Sequence, residues 1–228
     1  MLNKLTLITL LVASLLTGCN LASTEAKPTS NATATPSLEF VEPVSPTSPI
    51  AVNTVTPAAP VPTEQAVLDR AAEVVAALKD KDMARLSTYV DPLLGLRFSP
   101  YAAVKDTDLV FPVDTVAGLM ADRTVFTWGA YYATGEPIEL TFADYYAKFI
   151  YDVDFANAPQ VELNHRLGVS TTLDNSHEFY PNALIVEYYF PGFDPQFEGM
   201  DWRSLRLVFQ QAKDTLYLVG IIHDQWTT

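Results

Sequence analysis

Residues 204–223 read SLRLVFQQAKDTLYLVGIIH, and this stretch decides the fold. Two runs rich in apolar and β-branched residues, Ser204 to Gln210 and Leu216 to His223, flank a short polar sequence, a pattern typical of two strands joined by a turn. Two further candidate strands precede them, at Val161 to Ser170 and at Ala183 to Phe190. Because strands joined by local links pair with their neighbours, the sequence predicts an antiparallel meander.

Three helices are predicted ahead of the meander. Thr63 is the predicted N-cap of an amphipathic helix that runs to about Lys79, and Asp82 caps a shorter helix that Pro92 ends. Thr141 opens a third helix, whose stripe of aromatic side chains at helical spacing is typical of a surface that faces a core.

Shorter strands are predicted between these helices. Leu96 to Ser99 alternates apolar and polar residues, and Val125 to Tyr132 is a candidate strand that turns into Ile138 to Leu140. Asp114 is predicted to cap a short helical turn. The sequence therefore predicts an α+β fold.

This order of elements resembles the NTF2-like (SnoaL-like) superfamily. The resemblance is carried by Ala77 to Phe98, where a helix, a Lys-Asp-Lys-Asp break, a short helix and Asp91-Pro92 precede a strand. It implies an NTF2-like globular domain over residues 63–228, a cone in which a curved antiparallel sheet wraps around about three helices. In that superfamily the cavity at the wide end of the cone serves isomerase-like and dehydratase-like enzymes, and also many non-catalytic binding domains.

The beginning of the chain indicates where the protein resides. Lys4 precedes an apolar run from Leu5 to Leu16, and Leu16-Thr17-Gly18-Cys19 resembles the lipobox of bacterial lipoprotein precursors. The resemblance implies a signal peptide over residues 1–18 and lipid, including palmitate, on Cys19. We expect a protein anchored by this lipid to a bacterial membrane, outside the cytoplasm, at the cell surface or in the periplasm.

Composition defines the next segment and excludes several classes of function. Residues 19–62 hold 8 of the 16 prolines and are rich in Ser and Thr, which predicts a disordered linker. Cys19 is the only cysteine, so lipidation leaves no thiol for disulfides or for nucleophilic catalysis. The net charge of −13, without clustered Lys and Arg, argues against nucleic acid as a partner.

Catalytic signatures are few. The histidines show no spaced pair for zinc. Calcium is the one metal left open, through Asp152 and Asp154 or through Asp194, Glu198 and Asp201, although neither set has EF-hand spacing. No metal is assigned to the predicted site, and no cofactor is expected. His223 and Asp224 are adjacent, so on a strand they leave opposite faces; regular alternation places His223 beside Val219 and Ile221. An NTF2-like enzyme remains the alternative function, using an Asp or His base. Its candidate residues are His223, Asp201 and Tyr188.

A set of aromatic and polar side chains favours ligand binding. Rings with a few polar groups are what a carbohydrate or small-ligand site uses. The candidate ligand-binding residues are Trp128, Tyr131, Tyr132, Trp202, Arg203 and Trp226. The leading hypothesis is therefore a non-catalytic, membrane-tethered module that binds a small ligand, a glycan or a protein partner. Apolar residues on both faces of the last two strands also predict a homodimer that pairs through the sheet.

Overall fold

The computed structural model describes residues 60–169 and 171–227. The predicted signal peptide, Cys19 and nearly all of the predicted linker lie outside the described residues. No helix in the described part of the chain is long and apolar enough to cross a membrane.

The three predicted helices are confirmed, and each begins at its predicted cap. The predicted end of the second helix at Pro92 is wrong, because that helix already ends at Ser87. Thr63 Oγ1 accepts the Ala66 N–H at the start of the first helix, and the side chains of Asp82 and Thr141 accept backbone N–H groups in the same way. The prediction that Asp114 caps a helical turn is wrong, because Pro112 precedes that turn and Asp114 lies inside it. The helices are α1 (Glu64–Lys79), α2 (Met83–Ser87), α3 (Val113–Val116), α4 (Phe142–Phe149) and α5 (Ser176–Phe179).

Eight strands form a curved six-stranded sheet and a separate hairpin. Their bounds are β1 (Leu96–Ser99), β2 (Val110–Phe111), β3 (Val125–Ala130), β4 (Pro137–Thr141), β5 (Gln160–Leu163), β6 (Leu184–Phe190), β7 (Arg203–Ala212) and β8 (Thr215–Gln225). The large sheet has the order β2-β1-β8-β7-β6-β5, and β3 pairs with β4. The mixed α+β class and the antiparallel meander from β5 to β8 are confirmed.

Two details of the sheet differ from the prediction. β1 runs parallel to β8, so the sheet is not purely antiparallel; no hairpin joins these two strands, and therefore no local turn fixes their relative direction. β5 ends at Leu163 rather than at Ser170, because Asn164 adopts a left-handed backbone conformation with φ of 55° and turns the chain out of the sheet.

The inner face of the sheet packs against α1 and α4 to form the main core. The aromatic stripe of α4 is buried as predicted, with Tyr145 stacked on Trp128 at a ring-centroid distance of 3.8 Å. The Tyr146 hydroxyl donates a hydrogen bond to the Leu78 carbonyl and so joins α4 to α1. This interior is filled by side chains, many of them aromatic.

A β-bulge in β8 changes which side chains share a face. Val208 pairs with Gly220, but the next residue of β7, Phe209, pairs with Leu218, so Val219 is an extra residue in β8. Regular alternation had placed Val219 beside His223 and Ile221. The bulge puts Val219 in the outer cluster and Leu218 in the inner one, so that part of the prediction is wrong.

The chain itself covers the outer face of the sheet. Val208, Val219 and Ile222 are each at most 4% exposed, and they pack with Tyr180 and with Val104 from the link between β1 and β2. The predicted homodimer was motivated by an outer face that needs a cover. Because residues of the same chain bury this face, a dimer is not needed to cover it. The homodimer stays a prediction, without this argument in its favour.

Candidate functional site

A pocket of about 320 Å³ opens where the large sheet, the β3–β4 hairpin and α4 meet. A volume of this size is at the lower end of the range for small-ligand sites. Four segments of the chain line this pocket: the β1–β2 link, the β3–β4 turn, the last turn of α4 and the residues that follow His223. The lining residues are Tyr101, Tyr131, Tyr132, Ala133, Lys148, Phe149, Gln225, Trp226 and Thr227. We call this the aromatic pocket.

Local hydrogen bonds fix two of its walls. In the β3–β4 turn, Tyr131 N donates to Glu136 O at 2.9 Å and Gly135 N donates to Tyr131 O at 2.8 Å, with Gly135 at φ of +72°. The segment after β8 is tied back by a 2.7 Å hydrogen bond between the hydroxyls of Thr172 and Thr227. Both walls are therefore positioned by the fold rather than left as free loops.

Packed rings form the base of the aromatic pocket. Tyr101 meets Tyr132 edge to face at a centroid distance of 4.4 Å and Phe149 at 5.8 Å. Phe149 and Tyr101 are buried, whereas Tyr132 is 41% exposed and Trp226 is half-buried. The base is thus made of packed rings, and Tyr132 and Trp226 offer flat apolar faces to an occupant.

The polar groups of the pocket are one ammonium and several neutral donors. Lys148 Nζ donates to the Tyr131 hydroxyl at 2.9 Å and lies 4.4 Å from the centroid of its ring, a cation–π geometry. Burial raises the pKa of Tyr101 and the pKa of Tyr132, so both phenols are neutral near pH 7. The pocket therefore presents rings, hydroxyls and a positive charge, which suits a polar molecule that contains a ring.

The structure brings together three of the six predicted ligand-binding residues. Tyr131, Tyr132 and Trp226 line the aromatic pocket, although Trp226 is more than 90 residues of sequence away from the other two. Sequence reasoning missed Tyr101 and Lys148. No local signal marks them, because their role depends on how distant segments pack.

The other three predicted ligand-binding residues have structural partners elsewhere. Trp128 is 1% exposed, and its Nε1 donates to Leu140 O at 3.0 Å within the core. Trp202 is 3% exposed and packs against Gly168, as expected for a ring that docks its loop onto the domain. Arg203 pairs with Asp152 at 2.8 Å, so its guanidinium is already engaged.

His223 lies in a small buried cluster with this same ion pair. Its ring is fully buried, its Nε2 is 3.4 Å from Asp152 Oδ2, and Phe149 meets the ring edge to face at 5.7 Å. Burial favours a raised pKa for Asp152, but His223 and Arg203 outweigh it and hold the pKa of this carboxyl below its usual value. As predicted, Asp224 points to the opposite face, where it pairs with Arg206.

The residues of the enzymatic alternative are not assembled into one site. Asp201 Oδ2 accepts the backbone N–H groups of Phe193 and Asp194 and so holds its own loop. Tyr188 is buried on the inner face, where desolvation raises its pKa. Within residues 60–169 and 171–227, no hydrogen bond or ion pair joins His223, Asp201 and Tyr188 to one another. Asp152 is the carboxylate that His223 meets instead.

The candidate calcium ligands are engaged with protein groups. Asp152 pairs with Arg203, Asp154 accepts from Lys79 Nζ at 3.1 Å, and Asp194 accepts the Gln196 N–H at 2.9 Å. In the described ranges, no group of three or more His, Cys, Asp or Glu side chains is placed to hold a metal ion.

A second charged cluster lies on the outer face of the sheet. Arg206 is 2% exposed and lies between Asp224 at 2.7 Å, Asp174 at 3.3 Å and Glu187 at 3.5 Å. Glu187 also accepts the backbone N–H groups of Leu167 and Gly168. These contacts fasten the segment after β5 to the sheet, so the cluster serves the fold and takes no part in the aromatic pocket.

Comparison of the chain with protein families, with curated proteins and with solved structures found no match. The case for a function therefore rests on the geometry of the pocket and on the chemistry of its residues.

Proposed function

We propose that the chain is a membrane-tethered, extracytoplasmic lipoprotein whose folded domain binds a small ring-containing ligand in the aromatic pocket, without catalysis. The aromatic pocket is the observation that carries this proposal. Two of its rings, the exposed Tyr132 and the half-buried Trp226, lie on a packed base and next to hydroxyl and ammonium groups. A sugar or a similar polar ring fits these surroundings, because it offers both apolar faces and hydrogen-bonding edges.

We also propose that the domain is an NTF2-like cone. The supporting features are the order of two N-terminal helices, strands, the helix α4 and a terminal meander, together with a curved sheet whose inner face packs on α1 and α4. In such a cone the ligand site is at the wide end. The aromatic pocket would then be a shallow form of that site, because aromatic side chains fill the space behind it.

The binding proposal is tested by following the three tryptophan indole N–H signals by NMR while a panel of mono- and disaccharides is added. Trp128 and Trp202 are buried, so a ligand in the aromatic pocket should shift the Trp226 signal and leave the other two nearly unchanged. Trp226→Ala should abolish binding. Phe193→Ala, which removes a ring that is 52% exposed on another loop, is the matched control and should bind normally.

Two results would contradict the proposal. One is a panel that leaves the Trp226 signal unmoved at millimolar concentrations. The other is a ligand that binds Trp226→Ala as tightly as the wild-type chain, since such a ligand would occupy a different site.

The buried pair of Asp152 and His223 favours a second candidate function, an NTF2-like isomerase or dehydratase that uses this histidine as its base. The pair has the composition of an acid–base dyad. However, His223 is fully buried and does not line the aromatic pocket. Incubation of bound carbonyl ligands in D₂O separates the two functions. The binding proposal expects no deuterium at carbon, whereas exchange that His223→Gln abolishes would establish the enzyme.

A further inference from the structure

We infer that the ligand of the aromatic pocket is an acid, a ring-containing carboxylate such as a sugar acid, and that Lys148 Nζ binds its carboxylate. This inference rests on the proposed function and adds the ligand's charge to it. It begins from a contrast between the pocket and the rest of the chain.

The aromatic pocket has the opposite charge from its surroundings. The chain has 27 Asp and Glu against 14 Lys and Arg, yet the nine lining residues include one lysine and no acid. A second ammonium, Lys105 Nζ, lies 5.9 Å from the centroid of the Tyr132 ring. Asp224 and Asp108 lie near enough to Tyr132 to contribute to its raised pKa, but neither lines the pocket. The lining itself therefore favours an anion, and a local field of this kind selects the charge of a ligand.

Lys148 has capacity for a further partner. Its ammonium donates one hydrogen bond, to the hydroxyl of Tyr131, which leaves further ammonium protons available. Within the described ranges, no carboxylate lies within 4.0 Å of Lys148 Nζ. By contrast, Lys79 pairs with Asp154, and Arg203 and Arg206 pair with acids.

Neighbouring rings hold the ammonium of Lys148 where it can meet the carboxylate of a bound ligand. Its Nζ lies over the face of Tyr131 and 5.7 Å from the centroid of Phe149, so the ammonium is held at the edge of the pocket. A ring stacked on Tyr132 or Trp226 can direct a carboxylate toward this edge. The Gln225 side chain is then left for the ring's hydroxyl groups, since the Thr227 hydroxyl already bonds to that of Thr172. A few polar groups that orient the ligand are expected in such a site.

The test compares acids with neutral molecules of the same shape, on the full-length chain. The matched probes are glucuronate with glucose, and 4-hydroxybenzoate with 4-hydroxybenzamide, and the Trp226 indole signal reports binding. We expect the acid of a pair to bind about tenfold more tightly than its neutral partner, as one charge-assisted hydrogen bond provides. Lys148→Met should abolish this preference, since Met keeps the apolar stem but not the charge.

Lys213→Met is the control, because it makes the same change of net charge at the β7–β8 turn, the opposite end of β8 from Gln225. It should retain the preference. Equal binding of acid and neutral probes, or a preference that survives in Lys148→Met, would overturn the inference and leave the binding proposal standing. If no acid and no neutral probe binds, the inference fails; if the saccharide panel is also inert, the proposed function fails with it.

Discussion

Gly168 lies directly against the indole of Trp202, and only a hydrogen atom fits there. A Cβ added to Gly168 would lie 2.5 Å from Trp202 Cζ3, closer than side chains approach each other. We expect Gly168→Ala to lower the free energy of unfolding by about 1–3 kcal/mol, because the buried ring must move. Urea unfolding followed by tryptophan fluorescence measures this change.

Gly118→Ala is the matched control for Gly168→Ala. The nearest atom to a Cβ at Gly118 is 3.7 Å away, and its φ is negative, so alanine is accommodated there. The control should stay within about 0.5 kcal/mol of the wild-type stability. A Gly168→Ala chain as stable as this control would show that Trp202 does not dock as described.

Asp152 makes stability depend on pH. Its carboxylate lies between Arg203 and His223, and these partners hold the pKa of Asp152 below its usual value even though burial opposes this. A carboxyl whose pKa is lower in the folded state stabilises the fold at pH values above its unfolded pKa of about 3.9. This stabilisation is lost as the pH falls through the pKa that the carboxyl has in the folded state. Asp152→Asn should therefore cost about 1–3 kcal/mol at pH 7 and progressively less below about pH 4.

Urea unfolding at pH 7 and at pH 3 measures the effect of Asp152→Asn. Asp106→Asn is the control, because the Asp106 side chain is exposed and only its backbone carbonyl accepts a hydrogen bond from Arg97. The control should be neutral at both pH values. The same loss at pH 7 and at pH 3 in Asp152→Asn would argue against the ionised cluster.

The N-terminus of α4 depends on one side chain. Thr141 Oγ1 accepts the Asp144 N–H at 3.3 Å and donates to the Asp144 carboxylate at 2.6 Å, so it satisfies an N–H group that the helix leaves free. Thr141→Ala should lower the free energy of unfolding by about 1 kcal/mol, whereas Thr141→Ser, which keeps the hydroxyl, should be close to wild type. Urea unfolding separates them, and equal stability of the two variants would contradict the capping role.

The starts of α1, α2 and α4 were predictable because their causes are local. Thr63, Asp82 and Thr141 each satisfy the N–H group three residues further along the chain, and this relation is present in the sequence itself. The bulge at Val219 was not predictable in this way. The bulge depends on how β8 pairs with β7. The one-residue shift in this pairing moves the β8 side chains before the bulge to the opposite face from the one that regular alternation predicts.

The parallel pairing of β1 with β8 was missed for a similar reason. The two strands are more than 100 residues apart, and no turn between them sets their direction. The candidate site shows the same limit. Composition indicated aromatic ligand-binding residues, but Trp128 and Trp226 differ only in what packs against them: Trp128 stacks on Tyr145 in the core, and Trp226 faces the pocket.

The predicted lipid anchor and the folded domain should be separable by one substitution. Cys19 supplies the sulfur that the lipobox resemblance identifies as the lipidation site, and the domain from residue 63 onward has a core of its own. Cys19→Ala should therefore move the protein from the membrane fraction to the soluble fraction without changing its urea midpoint, whereas Ser23→Ala, four residues away, should leave it at the membrane. A Cys19→Ala chain that stays in the membrane fraction would overturn the proposed anchor.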